Sequence, residues 1–296
     1  IMKKLGLATA LLLAMTGAQA YQFEVQGQSE YIDGTVNDKN FTGSVQGTYY
    51  YKNVDASKGP LAEAAFLNQA SNVSLAYTYA PFDLGNLVDI ESHTYGVKGE
   101  AYLPTKFVPA YASASYSHTK LNADANIATF KDNGDRYAIE LGAVIVPNFL
   151  VAVGYTSVVD QASLDAFGIM NNGIAKAVGE AATIADDQDA ITARVKYVGA
   201  IDGTNMAIGF ESGLVYGEST AYQLKTDLYL NPQLSVGVSY AESSYDNLLP
   251  NKAWGANVNY FITPAVAVGA SYVNANAEKG SVLDTQTVGL NAKFRF

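Results

Sequence analysis

The run Gln22-Phe23-Glu24-Val25-Gln26-Gly27-Gln28-Ser29-Glu30-Tyr31 decides the fold. Phe23, Val25, Gly27, Ser29 and Tyr31 alternate with Gln22, Glu24, Gln26, Gln28 and Glu30, so an extended chain carries one largely apolar face and one polar face. The C-terminus repeats the pattern. There Val288, Leu290, Ala292, Phe294 and Phe296 interleave with Thr287, Gly289, Asn291, Lys293 and Arg295. Segments of about ten alternating residues, repeated and separated by turns, are the mark of a transmembrane β-barrel.

Repetition is present between these two strands. Three units share a spacing: Pro147-Phe149-Val151-Val153-Tyr155, Pro232-Leu234-Val236-Val238-Tyr240 and Pro264-Val266-Val268-Ala270-Tyr272. Proline has no N–H to give a ladder and belongs in the turn before a strand. A tyrosine eight residues later lies roughly 26 Å away, the height of a barrel's apolar band, and so falls in an interfacial girdle. The same reading predicts fourteen antiparallel strands, at about 22–31, 41–52, 71–80, 92–103, 110–119, 136–146, 149–157, 190–198, 206–216, 222–230, 234–241, 253–262, 265–273 and 285–296. The expected fold is an all-β, up-and-down transmembrane barrel. An even count places both ends of the barrel on the periplasmic side, with tight turns there and long loops, such as 158–189, outside. Alternation alone leaves the facing of the fifth strand (Ala110 to Thr119) undecided, because both of its faces carry small residues.

Composition agrees. The chain has 26 Gly, 21 Tyr and 12 Phe but one Trp and no Cys, which favours strands and excludes a disulfide scaffold. At the N-terminus Lys3 and Lys4 precede the apolar run Leu5 to Met15, and Ala18-Gln19-Ala20 supplies a small-x-small cleavage pattern. Residues 1–20 therefore read as a secretory signal peptide and 21–296 as the barrel domain, with cleavage expected after Ala20. Ile1 before Met2 reads as a start-site artefact. After Ala20 no unbroken apolar stretch reaches the length of a spanning helix. A soluble secreted barrel or sandwich would turn the apolar face inward, but fourteen strands enclose too wide an interior to fill with side chains.

Phe294-Arg295-Phe296 resembles the C-terminal signal by which outer-membrane barrels are recognised for assembly. From Tyr21-Gln22-Phe23-Glu24-Val25-Gln26-Gly27, through Gly59-Pro60-Leu61-Ala62-Glu63-Ala64-Ala65-Phe66-Leu67, to Gly289-Leu290-Asn291-Ala292-Lys293-Phe294-Arg295-Phe296, the whole chain resembles the 33–36 kDa outer-membrane porin of Acinetobacter and its relatives. That resemblance implies a channel-forming barrel and passive transport, and it specifies no solute.

Charge suggests how such a channel would act. The formal net charge is −10, and the acidic excess falls in the expected extracellular loops. The strand faces expected to line the lumen carry Lys52, Lys98, Arg136, Arg194, Lys196, Lys225, Lys293 and Arg295 against Glu24, Glu30, Glu100, Glu140, Glu211 and Asp227. Carboxylates around a pore mouth concentrate cations within a Debye length of about 8 Å, so a weak cation preference is expected. Acidic loops that only keep the surface solvated, or bridge to lipopolysaccharide through divalent ions, are the plainer reading.

Two segments are candidates for constricting the lumen. In loop 158–189 the stretch from Gly173 places Ile174, Val178, Ala181 and Ala185 on one helical face. On the periplasmic side Pro60 opens Leu61-Ala62-Glu63-Ala64-Ala65-Phe66-Leu67, a short apolar helix whose Leu61 and Phe66 could plug the exit.

Catalysis finds little footing. Only His93 and His118 are present, and a two-His metal site with Glu91, or a general base beside Ser117, is the most they could form, with surface imidazoles at the headgroup level the plainer reading. Asp132-Asn133-Gly134-Asp135 suits either a calcium-binding loop or an ordinary turn, and the terminal Glu of a full calcium loop is missing. No cofactor motif occurs. The expectation is a non-enzymatic outer-membrane channel. Its partners would be lipid, lipopolysaccharide, the barrel-assembly machinery, and small hydrophilic solutes or cations. It would be a monomer, and an adhesin acting through its acidic loops is the alternative.

Overall fold

The computed structural model describes residues 20–34, 41–83, 88–125, 128–160, 163–173, 176–178, 184, 188–244, 251–276 and 284–296. Of the expected signal segment, residues 1–20, all but Ala20 lie outside them. Fourteen antiparallel strands close into one barrel, each paired with its neighbours in sequence and β1 with β14. They are β1 (Ala20–Gly34), β2 (Phe41–Asp55), β3 (Asn72–Asp83), β4 (Val88–Leu103), β5 (Ala110–Ala125), β6 (Ala128–Val146), β7 (Phe149–Asp160), β8 (Asp189–Ala200), β9 (Ala207–Tyr216), β10 (Thr220–Tyr229), β11 (Leu234–Ser243), β12 (Lys252–Thr263), β13 (Val266–Asn276) and β14 (Thr285–Arg295). Closure pairs the two stretches read first: Glu24 stands opposite Arg295 and Tyr31 opposite Val288.

Alternation fills the two faces as the side-chain period demands. Phe23, Val25, Leu75, Ile139, Leu141, Val238 and Leu290 are exposed on the outside, whereas Thr48, Ser74, Thr78, Thr94 and Thr156 are buried inside. Apolar residues therefore face outward, the reverse of a soluble barrel. Aromatic pairs stand near both rims of this apolar band. Tyr31–Phe41, Tyr222–Tyr240 and Trp254–Tyr272 sit toward the long-loop rim, and Phe23–Tyr49 and Phe149–Tyr197 toward the short-turn rim.

The strands between β4 and β6 run further than expected. The β5–β6 hairpin stays paired up to Ala125 opposite Ala128, so Asp132-Asn133-Gly134-Asp135 is strand, registered against Leu121, Lys120, Thr119 and His118. It forms neither a turn nor a calcium loop, because cross-strand pairing takes its backbone groups. β5 also resolves its facing: Tyr111, Ser117 and Thr119 are buried inside and Ser113 and Ser115 line the lumen.

A register slip corrects one inward assignment. Tyr21 pairs with Val54 but Phe23 pairs with Tyr49, so the residues from Tyr50 to Asn53 bulge opposite Gln22. Lys52 is exposed in that bulge and does not line the lumen, since alternation cannot be carried through an irregular step.

Short helical segments lie between the strands, residues 176–178 among them. A 3-10 turn (Leu61–Glu63) runs into α1 (Ala64–Leu67) between β2 and β3, and α2 (Ala166–Asn172) lies between β7 and β8.

Candidate functional site

Inside the barrel, charged side chains form a belt near the short-turn end. Six basic groups on strands (Lys98, Arg194, Lys196, Lys225, Lys293 and Arg295) meet five acidic ones (Glu24, Glu100, Glu140, Glu211 and Asp227). Arg194 donates to Glu140 at 3.0 and 2.7 Å and lies 3.6 Å from Glu211. Lys98 sits 3.2 Å from Glu100, which also accepts the Tyr111 hydroxyl at 2.7 Å. Lys225 reaches Asp227 at 3.4 Å, and Glu24 holds Lys293 at 3.1 Å and Arg295 at 2.8 Å. Pairing of this density is what a partly desolvated wall requires, because a lone buried charge costs several kcal/mol, about 3–5 when one partner is removed.

The segment from Leu61 to Leu67 closes on this belt from the short-turn rim. Its apolar residues pack on widely separated strands. Leu61 meets Phe261 and Ala267, Ala64 meets Tyr21 and Tyr50, and Phe66 meets the clusters around Tyr111 and Tyr229. Polar contacts seat it as well. Glu63 lies 3.0 Å from the Lys196 ammonium and accepts the Tyr229 hydroxyl at 2.8 Å. Arg295 donates to the Leu61 carbonyl at 2.9 Å, and Leu61 N–H donates to the Pro232 carbonyl at 2.8 Å. Gly59 and Gln69 flank the segment with φ of 146° and 46°. At Gly59 a Cβ would come 2.9 Å from Leu67, so glycine permits both the backbone and the packing there.

From the other rim, residues of the β7–β8 loop enter the lumen, and those from Ser163 to Phe167 dock on β3 to β5. Ser163 shares a hydrogen bond with Thr119 at 3.1 Å, Leu164 N–H donates to Thr119 at 3.1 Å, and Ala166 N–H donates to Ser117 at 3.3 Å. Asp165 caps α2 by accepting Phe167 N–H at 2.9 Å. Ala166, Phe167, Ile169 and Met170 are all buried. Gly96 on β4 leaves room for them: a Cβ there would stand 2.7 Å from Ala166 and 2.9 Å from Phe167. Beyond α2, Lys176 is buried and donates to Ser239 on β11. Burial pushes its pKa down to about 8, with the Lys225 charge adding to that effect and Glu30 opposing it.

A cavity of about 580 Å³ lies between the two intruding segments, with Ala62, Ala65 and Phe66 at one end and Phe167, Met170 and Lys176 at the other. It continues past α2 toward the long-loop rim, where Ser243 and Ala253 line it. A second pocket of about 290 Å³ opens beneath the 61–67 segment, lined by Lys58, Pro60, Leu67, Asn148 and Asn231. Val198 and Tyr229 border both spaces, so the segment forms the partition between them.

Of the residues expected on the lumen wall, Glu24, Glu30, Lys98, Glu100, Arg136, Glu140, Arg194, Lys196, Glu211, Lys225, Asp227 and Lys293 line the cavity. Arg295 is buried behind it, between the Tyr21 and Phe261 rings. The long loop carries α2 (Ala166–Asn172) upstream of the expected stretch, and within that stretch residues 176–178 are helical, with Ala177 N–H donating to the Gly173 carbonyl at 3.2 Å. Val178 packs partly buried near Ile32 and Ala80, while Ile174, Ala181 and Ala185 lie outside the described residues. The start of α2 is set by Asp165, whose carboxylate caps a helix that the apolar spacing alone does not reveal. Phe294 and Phe296 stand at the short-turn end of the β1–β14 seam, with Phe294 opposite Val25 and Phe296 N–H donating to the Phe23 carbonyl at 2.9 Å.

The histidines do not face each other. Tyr95 is opposite His118, and His93 is opposite Lys120. His93 bonds the Tyr77 hydroxyl at 2.9 Å and His118 bonds Asp135 at 2.7 Å. Ser117 is used by α2, and among the described residues no group of three His, Asp or Glu side chains is placed to hold a metal. Sequence reading missed Glu63, Tyr229 and Lys176 as lumen residues. A usable signal existed for Glu63, since it is a lone charge in an apolar helical run and such a charge is buried only with partners.

Comparison with known proteins agrees with this architecture. Residues 2–296 match the family described as "Putative general bacterial porin". The crystal structure of the Acinetobacter baumannii outer membrane protein Omp33 is 55% identical, covering 95% of this chain and 100% of that one, with a TM-score of 0.71. The CymD monoaromatic hydrocarbon channel (10% identity, 98% and 93% covered, TM-score 0.55) and the Pseudomonas putida toluene transporter TodX (8% identity, 96% and 90% covered, TM-score 0.51) share the fold. A search of curated proteins finds no match. With a family match over almost its whole length and a channel-type barrel in its structure, the chain belongs to the general bacterial porins and is an outer-membrane β-barrel channel protein.

Proposed function

We propose that the barrel is a narrow passive channel for water, ions and small hydrophilic solutes, constricted by the β7–β8 loop on the outer side and by the 61–67 segment on the periplasmic side. The observation that carries this reading is the partition: one short segment separates a polar lumen cavity from a pocket at the short-turn rim. Weak cation preference follows from the distribution of charge. Basic and acidic groups nearly cancel along the inner wall, so the acidic excess of the outer loops sets the sign of the field a solute meets first. The protein would work as a monomer, delivered by an export signal and the barrel-assembly machinery, with its outer loops against lipopolysaccharide.

Planar-bilayer recording on the refolded barrel tests it. The expected series is a small cation-preferring conductance in the unaltered protein, a larger one when residues 163–185 are deleted, and the largest when residues 61–67 are also replaced by a Gly/Ser linker. A doubly altered barrel that is folded yet silent overturns the channel reading.

A further inference from the structure

The partition carries its own carboxylate. Glu63 is the one charged side chain of the 61–67 segment, and it sits against Lys196 at 3.0 Å and the Tyr229 hydroxyl at 2.8 Å, with the Lys196 ammonium also 5.1 Å from the Phe66 ring. The strand groups of the belt number six basic and five acidic, so Glu63 is the acid that brings the belt to balance. Without it Lys196 keeps, among the described residues, only the Glu211 carboxylate, at 3.5 Å, and Tyr229 loses the acceptor of its hydroxyl. Tyr229 and Lys196 both line the 580 Å³ cavity, so the place Glu63 fills is reached from the lumen.

We propose that Lys196 and Tyr229 form a binding site for small carboxylate solutes, which Glu63 occupies while the segment is seated and which a carboxylate entering from the lumen takes in its place. This inference rests on the channel reading for its consequence: the incoming carboxylate releases the partition and admits itself. The chemistry selects the class. Two donors, one of them cationic, converge on one carboxylate whose side chain is mostly shielded from water, and a charge-assisted pair in such a setting is stronger than neutral hydrogen bonds. A neutral amide of the same shape brings no charge to replace that of Glu63. The site is small, since the segment supplies no other polar side chain and its aromatic and aliphatic groups bound the remaining space.

Chemical rescue tests the site. Glu63→Ala removes the internal carboxylate while leaving Lys196 and Tyr229, and sodium acetate is the probe, with sodium chloride at equal ionic strength and acetamide as controls. In the detergent-solubilised barrel, acetate is expected to raise the melting temperature of Glu63→Ala saturably, acetamide to leave it unchanged, and Glu63→Ala/Lys196→Met to lose the response. Tyr229→Phe, which keeps Glu63 and the fold, should weaken the acetate response of the otherwise unaltered channel severalfold. In bilayers, acetate should raise the open probability of the unaltered protein severalfold and fail to do so in Lys196→Met. An equal response in the double variant, or none in Glu63→Ala, overturns the site. Stabilisation through Lys196 in barrels that never conduct would retain the site and remove the channel reading. Conductance indifferent to acetate, with no rescue, would do the opposite.

Discussion

Two segments enter this barrel, one from each rim, and different interactions hold them. The periplasmic segment is short and is bound on several sides at once. Glu63 meets β8 and β10, Leu61 meets Arg295 of β14, and Phe66 packs on clusters carried by β5 to β7 and by β8 to β10. The outer loop is longer: α2 and the residues before it lie against β2 to β5 through apolar side chains and backbone N–H bonds to the Thr119 and Ser117 hydroxyls, and Lys176 reaches Ser239 on β11. A buried ion pair loses several kcal/mol when one partner goes, whereas a single neutral hydrogen bond contributes about 0.5–1.5 kcal/mol. Opening of the periplasmic segment should therefore be nearly all-or-none, and release of the outer loop graded.

The largest expected effect is at Arg295. Arg295→Leu leaves Glu24 with Lys293 alone, removes the donor to Leu61 and unstacks two rings, so the barrel should lose about 3 kcal/mol of stability. A lowered urea midpoint in detergent, together with raised conductance, is the expected result. An unchanged midpoint would break the claim that charge holds the periplasmic side. Next is Gly96→Val, which forces a side chain into Ala166 and Phe167 and should displace α2 at a cost of about 1–3 kcal/mol. Conductance should rise and the loop should become susceptible to protease, with the Arg295-dependent stability intact. If the periplasmic segment is also released, the two closures are one coupled device.

The smallest effect is a pH dependence confined to the outer loop. Lys176 when seated titrates near pH 8, below the ordinary lysine value of about 10.4, because burial disfavours its charged form. The seated loop thus binds fewer protons than the released loop between these values. Seating gains strength as pH rises through that window, by up to about tenfold per unit. Open probability should fall from pH 8 to 9.5 in the unaltered protein and stay flat in Lys176→Met. A fall of equal size in the variant would move the titration elsewhere.

How much of this was legible in the sequence differs by element. β1 and β14 were readable to within a few residues, because each has one face strictly polar and a partner that closes the sheet. β5 was not, since Ala112 and Ala114 alternate with Ser113 and Ser115 and neither face declares itself. Lys52 misled because a bulge breaks the parity on which the reading depends. α2 is not legible in the sequence, because the capping role of Asp165 depends on where the loop docks, whereas residues 176–178 are helical inside the stretch that apolar spacing marks.

By itself the sequence determined the strand count, the polar inner and apolar outer faces, and the tight turns at one rim with long loops at the other. All of these follow from a period of two and from the turn chemistry of proline and glycine, which act within a few residues. Only the tertiary structure decided what occupies the lumen. Glu63 meets Tyr229 across 166 residues, and Arg295 meets Leu61 across 234. Such pairings are set by barrel closure and by the need of buried charges for partners, and alternation along a strand carries no record of either.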